Sequence, residues 1–391
     1  MATAERIVIA GAARTPLGSF QGKLKGFSAP ALGAIAIGGA LKCAGLDIES
    51  PDEVFMGCVL PAGLGQAPAR QAAIVAGIPD RVGATTVNKV CGSGMKAAML
   101  GHDAILAGSA HIVIAGGMES MTNAPYLLNK ARGGYRMGHG AVYDHMFLDG
   151  LEDAYERGTL MGKFAEDTAE KYQFTRQMQD TFATESLMRA KRATESGAFA
   201  REIVPVGADG AEVAIDELPA RADPAKIPLL KPAFREGGTV TAANSSAISD
   251  GAAALVLMKE AEAKRRGNAV LARIVGHATH AQAPAWFTTA PIGAITKLLE
   301  RVGWTSDEVD LYEINEAFAV VTLAAMRDLR LPHEKVNVHG GACALGHPIG
   351  ASGARVMVTL IHALQKRGLK RGIASLCIGG GEATAMAIEL I

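Results

Sequence analysis

The sequence predicts an α/β fold assembled twice from one unit, and three observations carry that reading. Short apolar, β-branched runs alternate with small-residue helical segments along most of the chain. Three fragments recur at a near-constant offset of roughly 260 residues, as a duplicated fold would leave. Ala44-Gly45-Leu46 before Ser50-Pro51-Asp52-Glu53-Val54 is echoed by Val302-Gly303-Trp304 before Ser306-Asp307-Glu308-Val309. Gly92-Ser93-Gly94-Met95-Lys96 is echoed by Ala351-Ser352-Gly353-Ala354-Arg355, and Ile114-Ala115-Gly116-Gly117-Met118-Glu119 by Cys377-Ile378-Gly379-Gly380-Gly381-Glu382. Finally, charge is concentrated between about 120 and 240, which sets that stretch apart as an insertion. At 391 residues and 49% hydrophobic, the chain is long enough for two or three domains with well-buried cores.

Taken in order, residues 7–10 form a short apolar strand before Gly11, and residues 32–44 have helical spacing that stops at Gly45. Residues 54–60 read as a strand and 70–76 as a helix. Residues 85–90 read as a strand ending on Cys91, residues 95–106 as a small-residue buried helix, and 111–115 as a buried strand. Such alternation implies a mainly parallel sheet covered on both faces. In the charged stretch, residues 164–196 contain a long amphipathic helix with Phe182, Leu187 and Met188 on its apolar side, and 202–216 resemble an edge hairpin. Residues 252–258 return to a buried strand, and the last 120 or so residues repeat the first. The resulting division is 1–119 with 246–270 as one half, 120–245 as an inserted loop domain, and 271–391 as the other half.

Composition narrows the class of function. With 39 basic and 39 acidic residues there is no positive excess to bind nucleic acid. The longest apolar stretch, 29–41, is broken by Pro30 and three glycines and is too short to span a bilayer. The start of the chain shows no secretory leader and its end no peroxisomal address. Five cysteines form no CxxC pair, so a structural zinc or a disulfide framework is not expected, and a reducing cytoplasm fits. His139, His145, His277, His280, His333 and His339 lack metal-ligand spacing.

Cys91 is the first candidate for chemistry. It stands where a strand turns into a helix, where unpaired N–H groups and about half a positive charge gather. A free thiol with pKa near 8.5 is only about 3% thiolate at neutral pH, and a drop of about two units would make thiolate the majority. A small cysteine packed under Gly92-Ser93-Gly94 is the plain alternative. Those glycines also satisfy a loose dinucleotide pattern, which would leave Cys91 without a role. Two further stretches, 337–350 and 374–382, each place titratable side chains (His347, Cys377) beside glycines, and Asn315-Glu316-Ala317-Phe318 adds an amide.

With Asn88-Lys89-Val90-Cys91-Gly92-Ser93-Gly94-Met95-Lys96-Ala97, Asn315-Glu316-Ala317-Phe318-Ala319, the run 340–353 from Gly340 through His347 to Gly353, and Cys377-Ile378-Gly379-Gly380-Gly381-Glu382 in this order, the chain resembles the thiolase family from residue 5 to the end. The resemblance implies a duplicated, five-layered α-β-α-β-α architecture with an inserted loop domain. It implies that Cys91 carries an acyl group as a thioester, that His347 and Cys377 move protons, and that Asn315 and His347, with the backbone N–H groups of Cys91 and Gly379, stabilise oxyanions. Coenzyme A is then a substrate and no further cofactor or metal is needed. Ser246 would lie against pantetheine, and Arg221 near the phosphates or adenine. Met161, Phe234, Phe287 and Phe318 would line the acyl pocket. Where the family has a His-Met pair this chain has Leu160-Met161, so one polar contact is missing. The implied substrates are acetyl-CoA, 3-oxoacyl-CoA and CoA, the implied assembly a homodimer or homotetramer.

Other classes remain to be weighed. A ketoacyl synthase would lack the second cysteine, a cysteine hydrolase would not need it, and a non-catalytic acyl-CoA or lipid-binding relative would need none of the four polar groups. Within the thiolases, acetyl-CoA condensation is expected, with a broad-range 3-ketoacyl-CoA thiolase as the alternative. Phe287 in place of a flexible filler suggests short substrates.

Overall fold

The computed structural model describes residues 5–208 and 210–391. Residues 1–4, where the leader pattern was sought, and Asp209, inside the expected hairpin, lie outside the described residues.

The first half runs β1 (Ile7–Arg14), α1 (Ala29–Ala44), β2 (Glu53–Gly57), α2 (Pro68–Val75), β3 (Gly83–Val87), α3 (Ser93–Leu106) and β4 (Ile112–Ser120). A long excursion follows, containing α4 (Met161–Tyr172) and α5 (Arg176–Glu195), before β5 (Ser249–Lys259) returns beside β4. The second half runs β6 (Ala272–Ala281), α6 (Ala290–Val302), β7 (Leu311–Ile314), α7 (Ala319–Asp328), α8 (Ile349–Arg367), β8 (Arg371–Ile378) and β9 (Glu382–Glu389). The strands form one path, β7-β8-β9-β6-β1-β5-β4-β2-β3. Its two halves have matching order outward from β6 and β1, which meet through only two aligned pairs, Val8 with Arg273 and Ile9 with Ala272. Even the missing outer strand has a counterpart, because Tyr312 bridges Val336 in parallel as β2 pairs β3.

The sheet is mixed, not mainly parallel. Only β2–β3, β2–β4 and β7–β8 run parallel, while β1–β5, β4–β5, β6–β9, β8–β9 and β1–β6 are antiparallel. Strands buried on both faces read as continuous apolar runs in either direction, so the sequence pattern did not separate the two cases.

Burial arranges these elements in five layers. α1 and α2 cover one face of the first half-sheet, and α6 covers the outer face of the second. Between the half-sheets lie α3 and α8, whose apolar residues share one core with strands of both. The two central helices cross at glycine. A Cβ on Gly353 would sit 2.3 Å from the backbone nitrogen of Met95, and one on Gly94 would sit 2.7 Å from that of Ala354. The predicted helix within 164–196 is interrupted at Gln173, whose left-handed backbone (φ 55°) ends α4 before Thr175 caps α5. The expected 202–216 hairpin is present as Val206–Ala208 paired with Ala211–Val213, apart from the main sheet.

Candidate active site

Cys91 stands at the turn between β3 and α3, and that turn is strained and tightly tied. Val90, a β-branched residue, has φ 45°. The Val90 N–H donates to Asn88 Oδ1 (2.9 Å), and the Lys89 N–H donates to Ser93 Oγ (2.8 Å), which donates to the Val90 carbonyl (2.6 Å). Cys91 is thereby fixed one residue ahead of the Gly92 cap of α3.

His347 comes from the other half, just ahead of α8, the helix that corresponds in the repeat to α3. It sits between Gly346, in the left-handed region, and Pro348, which leads into α8. Its Nδ1 lies 2.5 Å from Ser352 Oγ, and Ser352 Oγ also donates to the Pro348 carbonyl at 3.0 Å. Spending the single hydroxyl proton there leaves Nδ1–H as donor to Ser352 and the Nε2 lone pair free. Nε2 is buried without a partner, on a side chain that lines the cavity. Ser93 and Ser352, equivalent in the repeat, thus each act at the head of a central helix, Ser93 on the backbone just before Cys91 and Ser352 on the His347 ring.

Cys377 lies near the end of β8, followed by the turn to β9. Gly381 there has φ 88°, and a Cβ would sit 2.3 Å from the Gln282 carbonyl oxygen, so only glycine fits. The turn aims the Gly379 N–H at the Cys91 sulfur, alongside the N–H of Cys91 itself.

These groups surround one cavity of about 730 Å³. Cys91, His347, Cys377, Gly379, Ser246, Arg221, Met161, Phe234, Phe287 and Phe318 all line it. Asn315 does not. It is fully buried behind the wall, with Oδ1 3.5 Å from Arg355 Nη2 and Nδ2 lacking any partner. Ser246 is held by its N–H to the Ala317 carbonyl (2.9 Å). Arg221 is exposed at the rim and already paired with Glu217 at 3.0 Å. Phe318 stands edge-on to Phe234 and Phe287, at 5.9 and 6.4 Å between centroids, in an apolar cluster that also holds Cys377 and Met161.

Electrostatics reverse one expectation. The Cys91 thiol is pushed up to about 11, not down, because burial outweighs the two backbone N–H groups at the sulfur. Burial also raises Cys377, and the nearby Cys91 adds to it, while burial and the Arg355 charge push His347 down to about 3. The resting site therefore holds two thiols and a neutral imidazole.

Two supporting groups escaped the sequence reading. Buried Glu119 accepts from the N–H groups of Val59 (3.0 Å), Leu60 (3.1 Å) and Gly350 (2.8 Å), tying the start of α8 to the first half. Burial raises it to about 7 despite those bonds. Ser352, which holds His347, is the other. Both stand in the repeated fragments, the one signal that could have singled them out.

The duplicated α/β fold brings a thiol from one half to one cavity with a thiol and an imidazole from the other, the groups that nucleophilic and proton-transfer chemistry requires. Comparison with known proteins gives its family. The thiolase N-terminal domain matches residues 7–261 and the thiolase C-terminal domain residues 268–390. Acetyl-CoA acetyltransferase 2 of Arabidopsis thaliana is 51% identical over 98% of this chain and 97% of its own, and the acetyl-CoA acetyltransferase of Escherichia coli K12 50% identical over 98% of each. Among solved structures, a thiolase of Ascaris suum in complex with coenzyme A superposes with TM-score 0.94 at 43% identity, covering 99% of this chain and 100% of the other. The acetyl-CoA acetyltransferase of Bacillus anthracis gives 0.96 at 42% over 100% of both. The chain belongs to the thiolase family.

Proposed function

We propose that the chain is an acetyl-CoA C-acetyltransferase, joining two acetyl-CoA molecules into acetoacetyl-CoA and running the reverse thiolysis. The observation that carries this is the meeting of Cys91, His347 and Cys377 from opposite halves on one cavity, in a chain about half identical to proteins of that name. Cys91 sulfur attacks the thioester carbonyl of acetyl-CoA, and His347 Nε2 carries its proton to the departing CoA sulfur. His347 then takes the Cys377 proton, giving an imidazolium–thiolate pair. Cys377 thiolate removes a methyl proton from the second acetyl-CoA, and the resulting carbon attacks the acetyl group on Cys91. The carbon–sulfur bond breaks and Cys91 takes back the proton from His347. Nε2 is an N–H donor to the enolate oxygen only in this second stage, beside the free Nδ2 of Asn315 acting through a water. The N–H groups of Cys91 and Gly379 face the tetrahedral oxygen. Losing one such donor costs about 3–4 kcal/mol.

Coenzyme A enters as substrate, with pantetheine against Ser246 and the nucleotide end toward Arg221, which must then exchange its Glu217 contact. A reducing cytoplasm suits a site that needs two thiols, and all five cysteines are free. Exposed Tyr126, Leu128, Val142 and Tyr143, on the paired strands Tyr126–Leu128 and Val142–Asp144, support assembly into a homodimer or homotetramer. No helix among the described residues is long and apolar enough to cross a membrane.

The test is CoA-dependent loss of acetoacetyl-CoA, with mass spectrometry of the protein after acetyl-CoA alone. Acetyl-CoA formation and one acetyl group on Cys91 are expected, both lost in Cys91→Ser. Hydrolysis without CoA, or label on Cys43 or Cys58, would overturn the reading.

A further inference from the structure

Away from the cavity, the fold brings together two histidines that lie far apart in sequence. His102 and Asp103 stand on α3 of the first half, and His277 on β6 of the second. His102 Nδ1 and His277 Nε2 each lie 3.0 Å from the same oxygen, Asp103 Oδ1. The imidazole rings meet edge-on, with centroids 5.0 Å apart and planes at 89°. The three ligand atoms all lie within 4.8 Å of one another, and this is the one such grouping among the described residues. Both imidazoles are largely covered, with side chains 13% and 14% exposed, whereas Asp103 is 53% exposed and open to solvent. Arg301 Nη1 donates to the His277 carbonyl at 2.5 Å, which holds the strand residue in place.

We infer that His102, Asp103 and His277 form a binding site for a divalent transition-metal ion of the zinc, cobalt and nickel class. Two imidazole nitrogens and one carboxylate oxygen suit such ions, whereas Ca²⁺ and Mg²⁺ prefer oxygen throughout. Bonds of about 2.1 Å meeting near a right angle put ligand atoms about 3.0 Å apart, the separation found between Asp103 Oδ1 and each nitrogen. On binding, each neutral ring shifts its single proton from the nitrogen that faces Asp103 to its other nitrogen, so the ion takes the place of both N–H groups and no proton is lost. Solvent completes the coordination on the Asp103 side. Because the ligands come from both halves, the ion bridges the central layer to the second half-sheet and stabilises their association.

The experiment uses the full chain with its thiols reduced, where cobalt bound by active-site sulfur would give itself away through a thiolate charge-transfer band in the near ultraviolet. Titration with Co²⁺ should give visible d–d absorption saturating at one ion per chain, without a near-ultraviolet thiolate band, and Zn²⁺ should displace it. His277→Gln and Asp103→Asn should each weaken binding at least about tenfold while melting as wild type does in EDTA. Zn²⁺ at about a hundred times its Kd should raise Tm by about 3 °C in wild type and leave His277→Gln unmoved. His102→Gln serves in place of either variant that melts early. Wild type without the cobalt band, or a band of equal affinity in wild type and variants, overturns the site.

Discussion

At the scale of single residues, the site depends on the protonation states that burial imposes. A Cys91 thiol at about 11 is almost wholly protonated at neutral pH, so in the proposed mechanism its proton has to be removed during the reaction, the step given to His347. Iodoacetamide inactivation should accordingly rise about tenfold per pH unit and show no plateau below about pH 10. A plateau at pH 7 to 8 would mean that the helix end and the backbone donors outweigh burial after all. Cys377→Ala separates the two sulfurs. Acylation of Cys91 removes no proton from carbon, so the variant should still trap acetyl groups but fail to exchange deuterium into the methyl of acetyl-CoA. Exchange at the wild-type rate would remove Cys377 from the mechanism. These residues were legible because each stands beside glycines at the end of an apolar run. The sign of the Cys91 shift was not, because how deeply a corner is buried depends on elements hundreds of residues away.

At the scale of elements, α3 and α8 determine whether the two halves meet correctly. The extent of α3 was legible from small-residue spacing, whereas α8 was signalled only by the repeated Ser-Gly pair, Ser352-Gly353 echoing Ser93-Gly94, and the contact between the two helices was not read at all. Strand direction was hidden, since β4 and β5 are buried apolar runs that pair antiparallel without any short hairpin between them. Gly353→Ala should force the helices apart and cost about 1–3 kcal/mol. Chemical denaturation checks this, and unchanged stability would show that the crossing tolerates a methyl group. Glu119→Gln tests the tie between β4 and α8. An amide presents only one acceptor to three N–H donors, so at least one is left unmet, costing about 1–3 kcal/mol. With the start of α8 loosened, kcat should fall more than KM rises, whereas a purely structural role would lower stability and leave kcat per folded molecule unchanged.

At the scale of the whole molecule, the pocket is made by three parts of the chain that no local pattern connects. Cys91 comes from the first half, Met161 and Phe234 from the long excursion, and Phe287, Phe318 and Cys377 from the second half. The duplication was legible as a constant offset, whereas the pocket's size was not, because it depends on how the excursion folds back. That packing is tight. A Cβ on Gly162 would lie 2.3 Å from the Phe234 ring, so Phe234 is braced against α4, and Phe287 is only 3% exposed behind Phe318. Three phenyl rings thus stand together in the apolar cluster that holds Cys377, and under the proposed function they are the wall that a longer acyl chain would meet. An added methylene in a pocket that cannot yield costs roughly 1–3 kcal/mol, or about 10- to 200-fold in specificity. The expected profile is a steep fall in kcat/KM from four- to six- to eight-carbon 3-oxoacyl-CoA. Phe287→Ala should flatten that fall by a similar factor while costing about 3–5 kcal/mol of stability through the cavity it opens. A flat profile in the wild type would instead show that the rings swing aside and that the chain is a broad-range degradative thiolase.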